Sequence, residues 1–257
     1  MDYEFLRIER TDGGVVTVTM DRQPVNAINR KMYEEITDCF GSFEADRDAR
    51  VVILASASER AFTAGVDVRD RVSSMDDIDL ESRKFARDAY YAIYDAAVPV
   101  IAAVNGPALG AGIAICASAD IVIASERAIF ALPEITVGML GGGSHLARLI
   151  GPQRMRLSYY TSERISAAEM YRLGGVARVV PHDVLMDEAM AIARDIASKS
   201  PLAVRLAKQA LNRTEEMPLK EGYRLEQDYT MRLGLFEDTK EAMDAFLVKR
   251  EPKFKGR

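Results

Sequence analysis

Val15 to Met20 alternates apolar and polar positions as a strand does, and Asp21 to Pro24 breaks the pattern as a turn. From Asn29 the period changes. Met32, Ile36, Cys39, Phe40 and Phe43 recur at helical spacing and form one apolar stripe, with Asn29 placed to cap the first turn. Three β-branched runs follow, Val51 to Leu54, Val100 to Val104 and Ile121 to Ala124, each leading into a turn of small residues. Such runs read as strands buried on both faces. The stretch from Ala96 to Ala119 carries no charge and is long enough to span a bilayer. However, Pro99, Asn105, Gly106, Pro107, Gly110 and Gly112 interrupt it, so it predicts a buried strand, a turn and a small-residue helix over Ala111 to Ala119.

Two turns echo each other: Ser58-Glu59-Arg60-Ala61-Phe62 and Ser125-Glu126-Arg127-Ala128-Ile129-Phe130. An echo after successive strands is what a coil of repeated ββα units leaves in a sequence, although five residues can also match by coincidence. After about Gly142 strand signals stop and helix signals multiply. Ser166 to Glu169 is a capping-box pattern whose helix would end at Gly174, and another helix starts near Asp183. Ser200-Pro201 opens a helix over Leu202 to Asn212, and others follow from Leu219 and Asp238. The chain thus divides into an α/β core over 1–199 and a helical region over 200–257. The tail's apolar stripe (Leu225, Tyr229, Met231, Leu235, Phe236) is too short to form a core of its own, so it must pack on something, a neighbouring subunit being one candidate.

Composition narrows the classes. The 257 residues hold 34 Lys and Arg against 39 Asp and Glu, a net charge of −5, with 48% hydrophobic residues. This is ordinary globular composition, able to bury a core without disulfides. An acidic chain with scattered basic residues disfavours nucleic acid and anionic membrane as partners. Cys39 and Cys116 both fall in apolar patterns and read as buried free thiols, and the charged N-terminus lacks a signal-peptide core, so a cytoplasmic location is expected. With only His145 and His182 and no spaced ligand set, no metal site is expected.

The candidate chemistry lies in two small-residue turns, Phe62-Thr63-Ala64-Gly65-Val66-Asp67 and Asn105 to Gly112. Both let a ligand approach main-chain N–H groups closely, and a helix beginning near Ala111 aims its unpaired donors outward. Either turn alone reads equally as tight packing. The glycines at 106, 110 and 112 do not make GxGxxG, and neither a P-loop nor GxSxG is present. Glu134 is a lone acid among apolar residues. It is either an exposed loop carboxylate or, if the glycines at 141–143 fold back over it, a proton shuttle whose pKa burial would raise.

Taken together, Phe62 to Val68, Pro99 to Gly106 with Ala108-Leu109-Gly110-Ala111-Gly112, and Pro133-Glu134 followed by Gly138 resemble the crotonase superfamily, the enoyl-CoA hydratases and isomerases. Pro24-Val25-Asn26-Ala27-Ile28 resembles that family's first CoA-contacting loop, and Ala245 to Arg250 its last helix, so the resemblance spans nearly the whole chain. It implies an α/β fold, a crotonase-like spiral of ββα turns with a C-terminal helical trimerisation region, assembled as a homotrimer or dimer of trimers. It also implies an acyl-CoA thioester substrate, with coenzyme A as part of that substrate and no separate cofactor. By the same resemblance the N–H groups of Ala64 and Ala111 form an oxyanion hole, each donor favouring a thioenolate by about 3 to 4 kcal/mol. The CoA adenine would lie near Ala27, Ala64 and Val66, with Phe246 and Lys249 reaching it from a neighbouring subunit. Helix packing and a solvated charge are the alternatives for the last two.

One departure bears on the reaction. The two-carboxylate hydratases of the family carry a first glutamate where Ala114 stands here, and only the second, Glu134, is kept. A single carboxylate moves a proton but orients water poorly. The resemblance therefore leans towards double-bond isomerisation. Hydration, or a hydratase-lyase reaction, with water held by another group such as His145 is the rival, and a catalytically silent acyl-CoA-binding protein is a third reading. His145 also reads as an ordinary residue of a helix N-terminus. Tyr90, Tyr91, Met75 and Met139 are candidates to shape an acyl pocket, or simply to pack the core.

Overall fold

A computed structural model describes residues 2–11, 13–67 and 80–257, with the side chains of 80–83 excepted. Met75 therefore lies outside the described residues. The main sheet has the order β1-β2-β3-β4-β6-β9. It is built from β1 (Leu6–Arg10), β2 (Val15–Met20), β3 (Val51–Ser56), β4 (Val100–Val104), β6 (Ile121–Ser125) and β9 (Arg178–Val180). Only β1 runs antiparallel, and the others pair in parallel.

The β-branched runs are continuous rather than alternating because both sheet faces are covered. Val52, Leu54, Val100, Ala102 and Val104 enter one core with α1 (Arg30–Ser42) and α2 (Leu80–Tyr94). Their neighbours Val51, Ile53, Ile101 and Ala103 enter a second core, against Leu185, Ala189, Ala193 and Ala197 of a helix over Leu185–Ala197. Three of these four residues, spaced one turn apart, are alanines, so the helix can lie close to the sheet. α3 (Ala111–Ser118) has all eight residues buried, which explains its lack of any polar face.

A second sheet joins β5 (Ala108–Leu109), β7 (Ile129–Ala131) and β8 (Ile165–Ser166), and Thr63 bridges to Ala108 at its edge. The echoed turns lead into this sheet by the same local device. The Ser58 hydroxyl accepts the N–H groups of Arg60 (3.1 Å) and Ala61 (3.3 Å), and the Ser125 hydroxyl accepts that of Arg127 (3.0 Å). Each serine turns the chain out of the main sheet and into the second, and this is the step that repeats along the spiral.

The capping predictions match the structure. Asn29 accepts the Met32 N–H at 2.9 Å, Ser166 that of Glu169 at 3.2 Å and Ser200 that of Ala203 at 3.4 Å. Two expectations need correction. Strands do continue past Gly142, as β8 and β9, but they are two and three residues long and leave no periodic signal. In addition, α2 and α5 (Pro152–Thr161) were not predicted as elements, whereas α4 (Gly143–Ile150) supplies the helix N-terminus expected at His145. No helix among the described residues is long and apolar enough to cross a membrane.

The C-terminal helices over Pro201–Thr214 and Leu219–Leu233 share a small core of Leu206, Ala210 and Tyr229. The tail stripe divides, with Tyr229 buried and Met231 and Leu235 exposed. Two buried cations tie this region to the spiral. Lys208 Nζ lies 2.6 Å from Asp120 Oδ2, which also accepts the Val100 N–H. Arg205 donates to the carbonyls of Phe43 (3.1 Å), Asp46 and Ala49 (3.2 Å), where the chain leaves α1. Replacing Arg205 with Met strands three carbonyls, and the expected loss is about 3 kcal/mol, read as a lower urea midpoint at unchanged m-value.

Candidate active site

The site forms where three backbone segments meet with almost no side chain between them. The first is the loop 22–28. Asn26 is fully buried in left-handed backbone, and its side-chain amide donates to Met20 O (3.1 Å), Ser56 Oγ (2.8 Å) and Phe62 O (3.2 Å). Asparagine suits both demands, since it tolerates that backbone conformation and supplies the donors. The loop then bridges the second segment, 62–67. Ala64 N donates to Val25 O (2.9 Å), Ile28 N to Gly65 O (2.8 Å) and Asp67 N to Ile28 O (2.9 Å). Ala27, Ala64 and Val66, the sequence-predicted CoA contacts of the core, are thereby brought together. Arg22 holds the Ala27 carbonyl at 2.6 Å and pairs with Asp67 at 2.8 Å.

This bonding corrects one expectation. The Ala64 N–H is already donated to Val25, so it is not free to meet a ligand. In a parallel bridge the residue bracketed by the two bonds turns its own N–H away from the partner strand. Val66 holds that position opposite Ile28. Its N–H has no partner among the described residues, and neither has that of Ala111. Ala111 is the first residue of α3, where an N–H has no intrahelical acceptor. The sequence had placed Val66 only at the adenine. Nothing local identifies it as a donor, because the direction of an N–H depends on the register of a long-range bridge.

The two donors are brought close by glycine. Gly65 has φ +92°, and a Cβ there would lie 2.9 Å from Leu109 O and 3.6 Å from Ala111 N. No other residue fits without moving the helix start. Thr63 fixes the approach from beneath: its buried hydroxyl donates to Asn26 O at 2.5 Å and accepts the Gly65 N–H at 3.1 Å.

Glu134 opens a 3₁₀ turn over Glu134–Val137, and its carboxylate lies over both Gly110 and Gly141. A Cβ at Gly110 would stand 2.7 Å from Oε1, and one at Gly141 2.5 Å from the carboxyl carbon. The sequence-predicted fold-back of the glycine run is thus present. Each of the three glycines takes one side chain. Gly141 receives Glu134, Gly142 receives His145 Nδ1 (3.2 Å from its would-be Cβ) and Gly143 receives the Tyr159 ring (3.3 Å). Tyr159 anchors this ribbon, its hydroxyl accepting the Gly141 N–H at 2.9 Å. It is a second contributor that sequence reasoning missed.

Ala114 is buried, one turn into α3 from Ala111, and presents only a methyl group. His145 packs edge-on against Tyr90, with ring centroids 5.4 Å apart, and the Tyr90 and Tyr33 hydroxyls are 3.0 Å apart. Burial, assisted by the charge of Arg148, lowers the His145 pKa, so the ring is neutral at physiological pH. Tyr91 faces outward, 56% exposed, and Met139 lends its N–H to the Glu134 carbonyl at 3.0 Å. Phe246 and Lys249 lie at the end of the last helix and just past it. Both are exposed, and none of the bonds that assemble the site reaches them.

The arrangement is chemically asymmetric, with one unpaired main-chain donor at Val66, another at the start of α3, and a carboxylate over Gly110 and Gly141. It suits a reaction in which negative charge builds on a carbonyl oxygen while a proton moves at a neighbouring atom.

Comparison with known proteins identifies relatives of the whole chain. A family model described as enoyl-CoA hydratase/isomerase matches residues 10–257. A (7aS)-7a-methyl-1,5-dioxo-2,3,5,6,7,7a-hexahydro-1H-indene-carboxyl-CoA hydrolase of Rhodococcus jostii is 40% identical over 246 residues, 95% of each chain. A carnitinyl-CoA dehydratase of Salmonella enteritidis is 36% identical over 267 residues, 99% of each chain. The crystal structure of an enoyl-CoA hydratase from Bacillus anthracis superposes with a TM-score of 0.93 at 33% identity, covering 99% of this chain and 100% of that one.

Gly141→Ala tests the seat of Glu134. Its Cβ meets the tip of a flexible side chain, so the melting temperature is expected to stay within a few degrees of wild type. A displacement of the carboxylate by about 1 Å lowers turnover by about 10²-fold, measured as kcat in steady-state kinetics.

Proposed function

Since this chain belongs to the enoyl-CoA hydratase/isomerase family, we propose that it forms a thioenolate from an acyl-CoA substrate, with Glu134 moving the proton and the Val66 and Ala111 N–H groups holding the oxygen. The observation that carries this reading is the pair of donors at Val66 and Ala111, unpartnered among the described residues, with one carboxylate seated over Gly110 and Gly141. The adenine of CoA rests against Ala27, Ala64 and Val66. The exposed Phe246 and Lys249 complete that contact from a second subunit of a trimer, a role their exposure in a single chain supports.

The reaction that the 40%-identical hydrolase favours, and that a single base can serve, is hydrolytic cleavage of a 3-oxoacyl thioester. Glu134 takes a proton from water as the water oxygen bonds to the 3-oxo carbon. The C2–C3 bond then breaks, its electron pair passes into the thioester as the thioenolate, and Glu134 returns the proton to C2. One water is consumed and one carboxylic acid is released, within the same molecule where the substrate is cyclic. A single base serves both proton transfers, so Ala114 needs no carboxylate. The 40%-identical hydrolase, whose named substrate is a dioxo carboxyl-CoA, supports this choice.

Isomerisation of a 3-enoyl to a 2-enoyl thioester is the second reading. It is favoured by Ala114, because moving a proton from C2 to C4 also needs one base and no positioned water.

Three substrates offered separately separate these readings. A 2-oxocycloalkane-carbonyl-CoA that gains the mass of one water and opens to a dicarboxylic monothioester establishes hydrolysis. A 3-enoyl-CoA that gains the absorbance of a conjugated thioester at constant mass establishes isomerisation, and a 2-enoyl-CoA that loses that absorbance establishes hydration. Tight binding without turnover of any of the three would leave only the silent binding protein. Glu134→Gln is expected to lower kcat by about 10² to 10⁴-fold on the productive substrate, with KM little changed.

A further inference from the structure

Glu134 and His145 lie on consecutive residues of one side-chain-free ribbon, Glu134 on Gly141 and His145 on Gly142. His145 is thus seated one residue further along the ribbon from Glu134. The imidazole is held rather than free. Its ring stands edge-on to Tyr90, whose hydroxyl is tied to that of Tyr33, so two helices fix its orientation. Yet the ring nitrogens make no hydrogen bond among the described residues and are not sealed from solvent.

A packed imidazole without a protein partner costs about 1 to 3 kcal/mol once a ligand excludes water from it, unless that ligand supplies the missing partner. A saturated hydrocarbon chain cannot do so, whereas an oxygen can. We infer that His145 is a specificity-determining residue, donating a hydrogen bond to a second oxygen of the acyl group, and that the substrates of this site are oxygenated acyl thioesters rather than plain fatty acyl chains. The inference rests on the proposed acyl-CoA reading and names the residue that selects within it. In a hydrolytic reaction the oxygen engaged is that of the 3-oxo group, and the same hydrogen bond would polarise the carbonyl that water attacks.

Binding tests the inference without requiring turnover. In a Glu134→Gln background, dissociation constants are measured by calorimetry for 3-oxohexanoyl-CoA and hexanoyl-CoA, which differ by one carbonyl. With His145 present, the oxo ligand is expected to bind about tenfold more tightly. His145→Phe keeps a ring against Tyr90 but has no donor, and it is expected to abolish that preference while leaving the affinity for hexanoyl-CoA unchanged. His145→Gln restores a donor and should recover part of the preference, which a merely structural role would not produce.

A preference that survives in His145→Phe overturns the inference, as does an equal loss of affinity for both ligands or the absence of any preference in the parent. If neither acyl-CoA binds, the inference falls together with the proposed function. If the preference follows His145 but no thioester is turned over by the unmodified enzyme, the selectivity stands and the proposed reaction fails.

Discussion

Folded chains pair nearly every buried main-chain N–H, and the site depends on two that are withheld from pairing. Around Val66 the accounting is complete: the N–H groups of Ala64, Gly65 and Asp67 go to Val25, Thr63 and Ile28. Around Ala111, those of Leu109 and Gly110 go to Thr63 and Ala131. What is left over is set by register. The bridge between Ile28 and Val66 consumes the groups on either side of Val66 and turns its own N–H outward. The start of α3 does the same for Ala111 because a helix has no acceptor for its first donor. A one-residue slip in the bridge would aim a different N–H at the site. The buried Asn26 and Thr63, which lock the loop 22–28 against 62–65, are therefore part of the chemistry although neither needs to touch a ligand.

The donors act at main-chain distance only where side chains are absent, and this explains the distribution of glycine. Gly65 lets its segment approach Leu109 and Ala111, Gly110 leaves room for the Glu134 carboxylate, and the ribbon 141–143 accepts Glu134, His145 and Tyr159 in turn. Rigidity is recovered elsewhere. Tyr159 bonds the ribbon, Tyr33 and Tyr90 brace the imidazole, and α3 is enclosed on every side. A site made of backbone is preorganised by whatever holds the backbone, so the energetics of catalysis reside in sheet register and helix placement more than in the residues that line the cleft.

Legibility from sequence followed the range of the interactions. The central strands were readable because burial on both faces demands β-branched runs, and the caps at Asn29, Ser166 and Ser200 because a hydroxyl or amide acts three residues away. Gly174 also stands where a left-handed residue ends a helix. The short edge strand over 178–180 was invisible, since it borrows its stability from one neighbour and leaves no periodicity. Glu134 and Ala111 were singled out from the motif, and the structure brings the Glu134 carboxylate against Gly110, the residue before Ala111. The N–H of Ala64 was misjudged for a definite reason: its partner, Val25, is 39 residues away, and the identity of a donor in a bridge cannot be read from the residues that carry it.

Ala114 can now be weighed against its surroundings. A glutamate here would project from the first turn of α3, a helix buried on all sides, and its ionised form would need a partner or water to be tolerated. With alanine that burden vanishes, and so does the ability to clamp a water between two carboxylates. The site then offers a single carboxylate, that of Glu134. Under the proposed function, each proton that Glu134 accepts must be returned to carbon by the same side chain before another substrate can react. That restricts the chemistry to sequences in which the proton taken and the proton given balance within one turnover. Hydrolysis of a 3-oxo thioester and double-bond migration both satisfy the restriction. They differ in whether a water molecule enters, and the inferred hydrogen bond from His145, seated beside Gly142, would favour the first by polarising a 3-oxo carbonyl.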